Sequence, residues 1–376
     1  MRNKRLSLTV FAASLFFLLN AVCWGVETRQ VDIVRDKGVL DSSDFATIDT
    51  FVGEAVQELT ETRDFASVAE IRAVIVSRAS SNKPSAQPQY TQQFFDSARK
   101  YISGALEKAS QSSAEGRRFL LTLNLLILVD YLNNAELVEL CLDSLKDENM
   151  AIRYWAVRCV TNGEIVRQLN SSDRGQLVSR ITAGLEQIVQ GSSFEIIELV
   201  AAFAANIKTA GADELLLKIA DMRIEQYSSW TVEHKIVDAS VLKSLCRKIS
   251  EAGAANPACA RRFAQLYSYV IQRYIRDSDV NSNMSASERN QLISVMVEIE
   301  KNCISVLLDK PQTTIKSAIE RGDVLRLMQE HNRLLGDETG SGELMGKLEC
   351  DYGESPDGGK QTMPLSLPEP PEQKAS

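Results

Sequence analysis

Histidine is nearly missing from this chain. Among 376 residues there are two, His234 and His331, almost a hundred positions apart. No H-E-x-x-H, no C-x-x-C and no Cys/His cluster of ligand spacing accompanies them, so no metal site is expected. Motifs for phosphate and for nucleophilic catalysis are lacking too. Gly340-Ser341-Gly342 with Gly346 brings its third glycine one place late for G-x-G-x-x-G, and neither a Walker lysine nor a G-x-S-x-G elbow occurs. Basic runs stop at the pairs Arg117-Arg118 and Arg261-Arg262. With 42 basic against 50 acidic residues, nucleic acid is not an expected partner. Aromatics are only 6% and a series of alternating strands is absent, which argues against a β-sandwich. No catalytic, cofactor-binding or metal-binding residue is assigned, and no cofactor is expected. His234 has Asp238 four positions later, a spacing that an exposed helical pair explains. Paired acids such as Glu195 with Glu198, and Asp221 with Glu225, read as solvated surface.

What the chain does have begins at its start. Arg2, Lys4 and Arg5 precede an apolar run, Leu6 to Leu19, and small residues approach Gly25. That order predicts a signal peptide over 1–25, or else an uncleaved anchor, and an exported protein, periplasmic or secreted. No other membrane segment is expected. Without those three basic residues the rest carries 39 Lys and Arg against the same 50 acids, a net charge of about −11.

Beyond the leader the apolar content leans on Leu, Ala, Ile and Val at helical spacing. Helices are predicted over 45–59, 65–78, 92–109, 115–132, 173–189, 194–207, 212–226, 232–250, 257–276, 287–308 and 314–335. Phe119 to Val129 is the most apolar stretch and reads as a buried helix. The run Ser80 to Pro88 reads as a linker, which separates an N-terminal helical hairpin (26–80) from a helical array (89–336). Past Gly336 the composition changes. Five of the nine prolines fall between Pro356 and Pro371, and acids outnumber bases nine to three. Residues 337–376 are therefore expected to be a disordered tail without packed contacts.

The centre of the array is Ala135 to Asn162. Leu137, Leu140, Cys141, Ser144 and Leu145 form one apolar stripe, and Ile152, Trp155, Ala156, Cys159 and Val160 form another, with a polar turn at Asp147-Glu148-Asn149. Trp155 is expected to be the buried anchor of this hairpin. Leu145-Lys146-Asp147, Ile152-Arg153, Ala156 and Val160 together resemble one HEAT-type repeat, and Ile71-Arg72-Ala73 lies 81 positions earlier, near two periods of such repeats. The resemblance implies an α-solenoid of stacked antiparallel helix pairs, with Asp147 and Arg153 in the hydrogen-bonded ladder between repeats. It also implies a scaffold. The expectation is an exported, non-enzymatic helical-repeat protein that binds another protein or envelope component. The alternative is a helical envelope enzyme or small-ligand binder whose site is built from distant residues.

Export permits disulfides, and six cysteines follow the leader. Cys141 and Cys159 are offset along their hairpin. Cys246 and Cys259 are the candidate pair, because their midpoint falls in the Gly253-Ala254-Ala255 turn and both lie on apolar stripes.

Overall fold

The computed structural model describes residues 26–171, 174–252, 256–277, 284–354 and 358–371. The proposed leader, 1–25, and the turn 253–255 lie outside the described residues. The chain is all-α, with a single two-stranded hairpin as its sheet among the described residues. It divides into two compact units after Leu132 rather than at the 80–88 segment.

The first unit holds α1 (Arg29–Arg35), α2 (Ser42–Glu61), α3 (Phe65–Ser77), α4 (Gln87–Ser110) and α5 (Glu115–Leu132). Helix α2 packs most extensively on α4, so residues either side of 80–88 share one core. Two features make that packing specific. A Cβ at Gly53 would stand 2.8 Å from the Tyr101 ring, so glycine lets the two helices approach closely. Beside it Asp49 accepts from Ser97 Oγ (2.8 Å) and Tyr101 Oη (2.7 Å), and these bonds pull its pKa below the ordinary carboxylate value against the opposing effect of burial. The supposed linker is itself pinned, since Asn82 N donates to the Arg35 carbonyl at 2.9 Å and Ala86 is buried. Phe119 to Val129 is buried only in its second half, from Leu125 onward, while Leu120 is exposed.

The second unit opens with Ala135–Cys141 and Asp143–Lys146, which are 3₁₀ rather than α-helical. Ala135, Val138 and Cys141 are buried at intervals of three, the period of a 3₁₀ helix. Then come α6 (Met150–Thr161), α7 (Gly163–Ser171), α8 (Gly175–Ile188), α9 (Phe194–Asn206), α10 (Ala210–Ser228), α11 (Val237–Ala252), α12 (Pro257–Arg276) and α13 (Ala286–Ile299). Helix α13 runs on through a π-helical turn, Glu300–Ile304, and a last turn, Ser305–Leu307. The unit closes with α14 (Thr314–Glu320), α15 (Val324–Leu335), β1 (Gly336–Asp337), β2 (Gly340–Ser341) and α16 (Glu343–Lys347). Helices next to and next but one from each other in sequence pack together from α9 to α13, the solenoid-like pattern. Trp155 is half-buried, not the hidden anchor of its hairpin. Arg158 lies 4.7 Å over its ring and Tyr154 meets it edge-on, because Ile152, Ala156 and Cys159 already fill the core side of α6.

Helix α12 is the hub, packed on α10, α11, α13 and α15. Next to it lies a buried ionic cluster. Asp238, fully buried, accepts from Arg223 Nε and from Tyr227 Oη, each at 2.7 Å, and Arg223 also donates to Gln226 Oε1 and the Glu233 carbonyl. Burial first, then that carboxylate, pushes the Tyr227 phenol well above its usual pKa. Removing the acid would leave a buried guanidinium without its counter-charge. Asp238→Ala is therefore expected to cost about 3 kcal/mol or more. Urea denaturation measures it, and a loss under about 1 kcal/mol would show that Arg223 finds another partner.

Candidate functional site

One stripe of α12 departs from its apolar surroundings. Arg261, Gln265, Ser268, Gln272 and Arg276 fall at steps of four, three, four and four, so they line a single face of the helix. The chain beyond Gly336 lies along that face in the same direction. Arg261 holds Asp351 through its carbonyl (2.7 Å) and carboxylate (2.8 Å). Gln265 takes Leu365 with both ends of its amide: Oε1 accepts from Leu365 N at 2.8 Å and Nε2 donates to Leu365 O at 3.2 Å. Gln272 Nε2 donates to the same carbonyl (3.1 Å), and its Oε1 accepts from Leu367 N (2.6 Å). Arg276 Nη1 and Trp230 Nε1 donate to the Pro368 carbonyl at 2.7 and 3.0 Å.

These contacts read the main chain. A glutamine amide carries a donor and an acceptor, so it can pair with an extended backbone as a neighbouring strand would. Side-chain selection comes from elsewhere. Pro364 and Leu367 are buried while Leu365 and Pro368 are exposed, an interval of three that matches the turn of a polyproline II segment. Leu367 is 1% exposed. The expectation of a tail without packed contacts therefore fails for the described residues of 337–371. Composition hid this, because the hydrogen-bond partners of the proline-rich segment come from α12 and Trp230 and not from the segment.

Two glycines launch it. Gly336 has φ +105°, and a Cβ there would meet Thr362 O at 2.3 Å. One at Gly342 would meet Gly336 N at 2.3 Å. The Gly340-Ser341-Gly342 run thus serves a tight β-hairpin, in which backbones touch backbones and leave no cradle for phosphate.

Behind the stripe runs a buried relay. The other amide hydrogen of Gln272 goes to Ser268 Oγ (2.8 Å), Ser268 meets His331 Nε2 (2.8 Å), and His331 Nδ1 meets Asn332 Oδ1 (2.9 Å). An amide oxygen only accepts, so Nδ1 carries the hydrogen and Nε2 accepts from Ser268. The chain of donors is complete only with neutral imidazole. Burial lowers the His331 pKa below its usual 6.5, in keeping with that. The order serine, histidine, asparagine is that of a nucleophile, its base and an orienting group. Ser268, however, has zero exposure and already accepts a hydrogen bond, so no carbonyl carbon can reach it. A cavity of about 500 Å³ opens beside the relay, with Gln272, Arg276, Met328, His331 and Met363 among its walls.

The residues singled out in the sequence are placed differently. Arg153 Nη1 donates to the Asp147 carbonyl at 3.3 Å, and the Asp147 carboxylate accepts from Asn149 N at 2.8 Å. Both bonds are local to the α6 turn. His234 sits in a loop with φ +44° and stacks on Phe194 at 4.6 Å between ring centroids, so it is not helical and does not pair with Asp238. Two of the acids expected to be solvated make contacts between helices: Asp221 pairs with Arg262 of α12 at 2.8 Å, and Glu198 accepts from Ser240. Cys246 and Cys259 are not bonded to each other. Cys246 lies six residues before the end of α11 and Cys259 two residues after the start of α12, which sets them about 6 Å out of level at 1.5 Å per residue. Burial pushes the Cys259 thiol up to about 11. Among the described residues no group of His, Cys, Asp and Glu could hold a metal ion, and no helix is long and apolar enough to cross a membrane.

The polar stripe was visible in the sequence as a helical period of polar residues in an apolar helix. What it binds was not. Set against models of known protein families the chain matches none, and no curated protein matches it either.

Two measurements probe this face. Leu367→Ala is expected to lower stability by about 2 kcal/mol or more, as for any buried leucine. An unchanged urea midpoint would mean that the segment does not dock. The second concerns pH. With the folded pKa of His331 depressed, the unfolded chain takes up the proton first as pH falls. The stability linked to neutral His331 is thus complete above about pH 7 and declines below about 6.5. Between pH 7.5 and 5 the wild type should lose more stability than His331→Gln. Equal losses would show that the ring titrates alike in the folded and unfolded chain, as a solvated imidazole does.

Proposed function

We propose that this is an exported, non-enzymatic helical scaffold that binds a partner protein by holding an extended segment of it on the polar stripe of α12. The observation that carries the reading is the double amide contact of Gln265 and Gln272 with Leu365 and Leu367, because it recognises main-chain groups that another segment with N–H groups at those two positions would also present. The resident segment 364–369 acts as an occupant in cis, which a partner segment replaces. Export rests on the sequence of 1–25. The partner chemistry that fits is an apolar, proline-containing stretch followed by an acid, since Arg276 also pairs with Glu369 at 3.3 Å.

The alternative, a helical enzyme, is favoured by one observation, the Ser268–His331–Asn332 order, and opposed by the burial of Ser268. A synthetic peptide with the sequence of residues 361–371, carrying a fluorophore, separates the two. Added to a Leu367→Asp chain, whose own segment is released, it should bind saturably by anisotropy. Wild type should bind it at least ten-fold more weakly, and a Gln272→Ala change in the released chain should abolish binding. Absence of binding to the released chain, with its helical circular dichroism intact, would refute the reading. A chain ending at residue 361 serves as a second released form.

A further inference from the structure

We propose that Cys246 and Cys303 form a disulfide that ties α11 to the π-helical turn after α13, a covalent modification separate from the peptide-binding face. The warrant is the register between the two helices. Both α11 and α13 pack on α12 and on each other, and α11 also touches the π turn. They run in the same direction. Lys235, just before α11, pairs with Glu288 in the first turn of α13 at 2.7 Å, and further along Lys243 pairs with Glu298 at 2.8 Å. Cys246 lies three residues beyond Lys243, and Cys303 lies five beyond Glu298. The surplus of two residues on the α13 side falls in the π turn, closed by Ser305 N on the Glu300 carbonyl five residues back, which takes up one of them and leaves the cysteines within about 1.5 Å of level at 1.5 Å per residue.

The thiols meet there in a side-chain hydrogen bond, at 5% and 1% exposure. Cys259, the partner that turn symmetry suggested, is out of level with Cys246, as described above. Within the pair, the Cys303 S–H donates to the Cys246 sulfur. That bond, helped by Ser250 against the effect of burial, lowers the Cys246 pKa from its usual value, while the shared bond and burial raise that of Cys303. Cys246 is thus the better thiolate.

The oxidant required is a disulfide of the kind present in an exporting compartment, represented here by glutathione disulfide. The Cys246 thiolate attacks one of its sulfurs and releases one glutathione thiolate. The Cys303 thiolate then attacks the mixed disulfide at the Cys246 sulfur and releases the second. Two protein S–H bonds are lost and one S–S bond forms. The two electrons and two protons leave in two molecules of reduced glutathione. Burial of both sulfurs places the exchange in the folding chain, before α11 and the π turn close over each other.

The test is refolding of the full chain in a glutathione buffer at fixed oxidised-to-reduced ratio, followed by alkylation with iodoacetamide in denaturant and digestion without reduction. The expected map shows one linked peptide pair, Cys246 with Cys303, that disappears on reduction, with Cys141, Cys159, Cys259 and Cys350 alkylated. A Cys259→Ala chain should give the same link, and a Cys246→Ala chain should not. Alkylation of both Cys246 and Cys303 at a ratio that fully oxidises a dithiothreitol standard would overturn the proposal. A Cys246–Cys259 link, or loss of the Cys246–Cys303 link in Cys259→Ala, would overturn it equally.

Discussion

A helix surrounded by its neighbours must satisfy every polar group it carries, and in the second unit that constraint falls on α12. Its core side is apolar and close-packed: Phe263, Leu266, Tyr267, Val270 and Ile271 are all essentially inaccessible. Another side carries Arg261, Gln265, Ser268, Gln272 and Arg276. Uncovered by water, such groups cost free energy unless they are paired, and the partners that complete them are the C-terminal segment on one side and His331 on the other. The extended segment is therefore part of the fold, since it supplies the hydrogen bonds that let a polar stripe sit on a central helix.

The same bonds give the stripe its functional character. Apolar cover alone would have sealed α12 in a permanent way. An amide ladder holds its occupant through main-chain groups, with two buried side chains, Pro364 and Leu367, and an exposed ion pair to Glu369. Those are interactions that a different chain of similar pattern could reproduce. The Gln272 amide links the two roles, since one nitrogen serves both the segment and the Ser268–His331 relay. Protonation of His331 would leave the Ser268 hydroxyl hydrogen without its acceptor, which couples the hold on the segment to pH through one hydrogen-bond chain.

The π turn after α13 has a comparable economy of parts. Its Glu300 carboxylate, buried, accepts from Ile315 N at 2.7 Å and Lys316 N at 2.9 Å, at the start of α14. Three residues on, Cys303 faces Cys246. One irregular turn thus fixes where the chain goes next and sets the level of two thiols. Nothing in the periodicity of 287–308, which reads as one continuous helix, marks the extra residue.

Helix existence was legible because apolar residues recur at 3.6-residue spacing whatever surrounds them. α2, α4, α10 and α12 lie close to where that spacing puts them, and Pro257 and Gly336 mark two of the ends, whereas 314–335, which reads as one helix, is broken at Gly322 (φ +66°) into α14 and α15. The all-α class follows from the same local rule. Which helix faces share a core was not legible, since it depends on residues far apart in sequence. Gly53 against Tyr101 joined segments that Pro84 and Pro88 seemed to separate, and Asp238 found Arg223 and Tyr227 instead of the nearer His234. The relay from Gln272 to Asn332 and the docking of 364–369 were hidden for the same reason, because a polar or proline-rich segment reveals nothing about a partner a hundred residues away. Local sequence determined the helices and the presence of a polar stripe on α12. Only the tertiary structure decided what that stripe holds, because burying a polar group is a question of who its neighbours are.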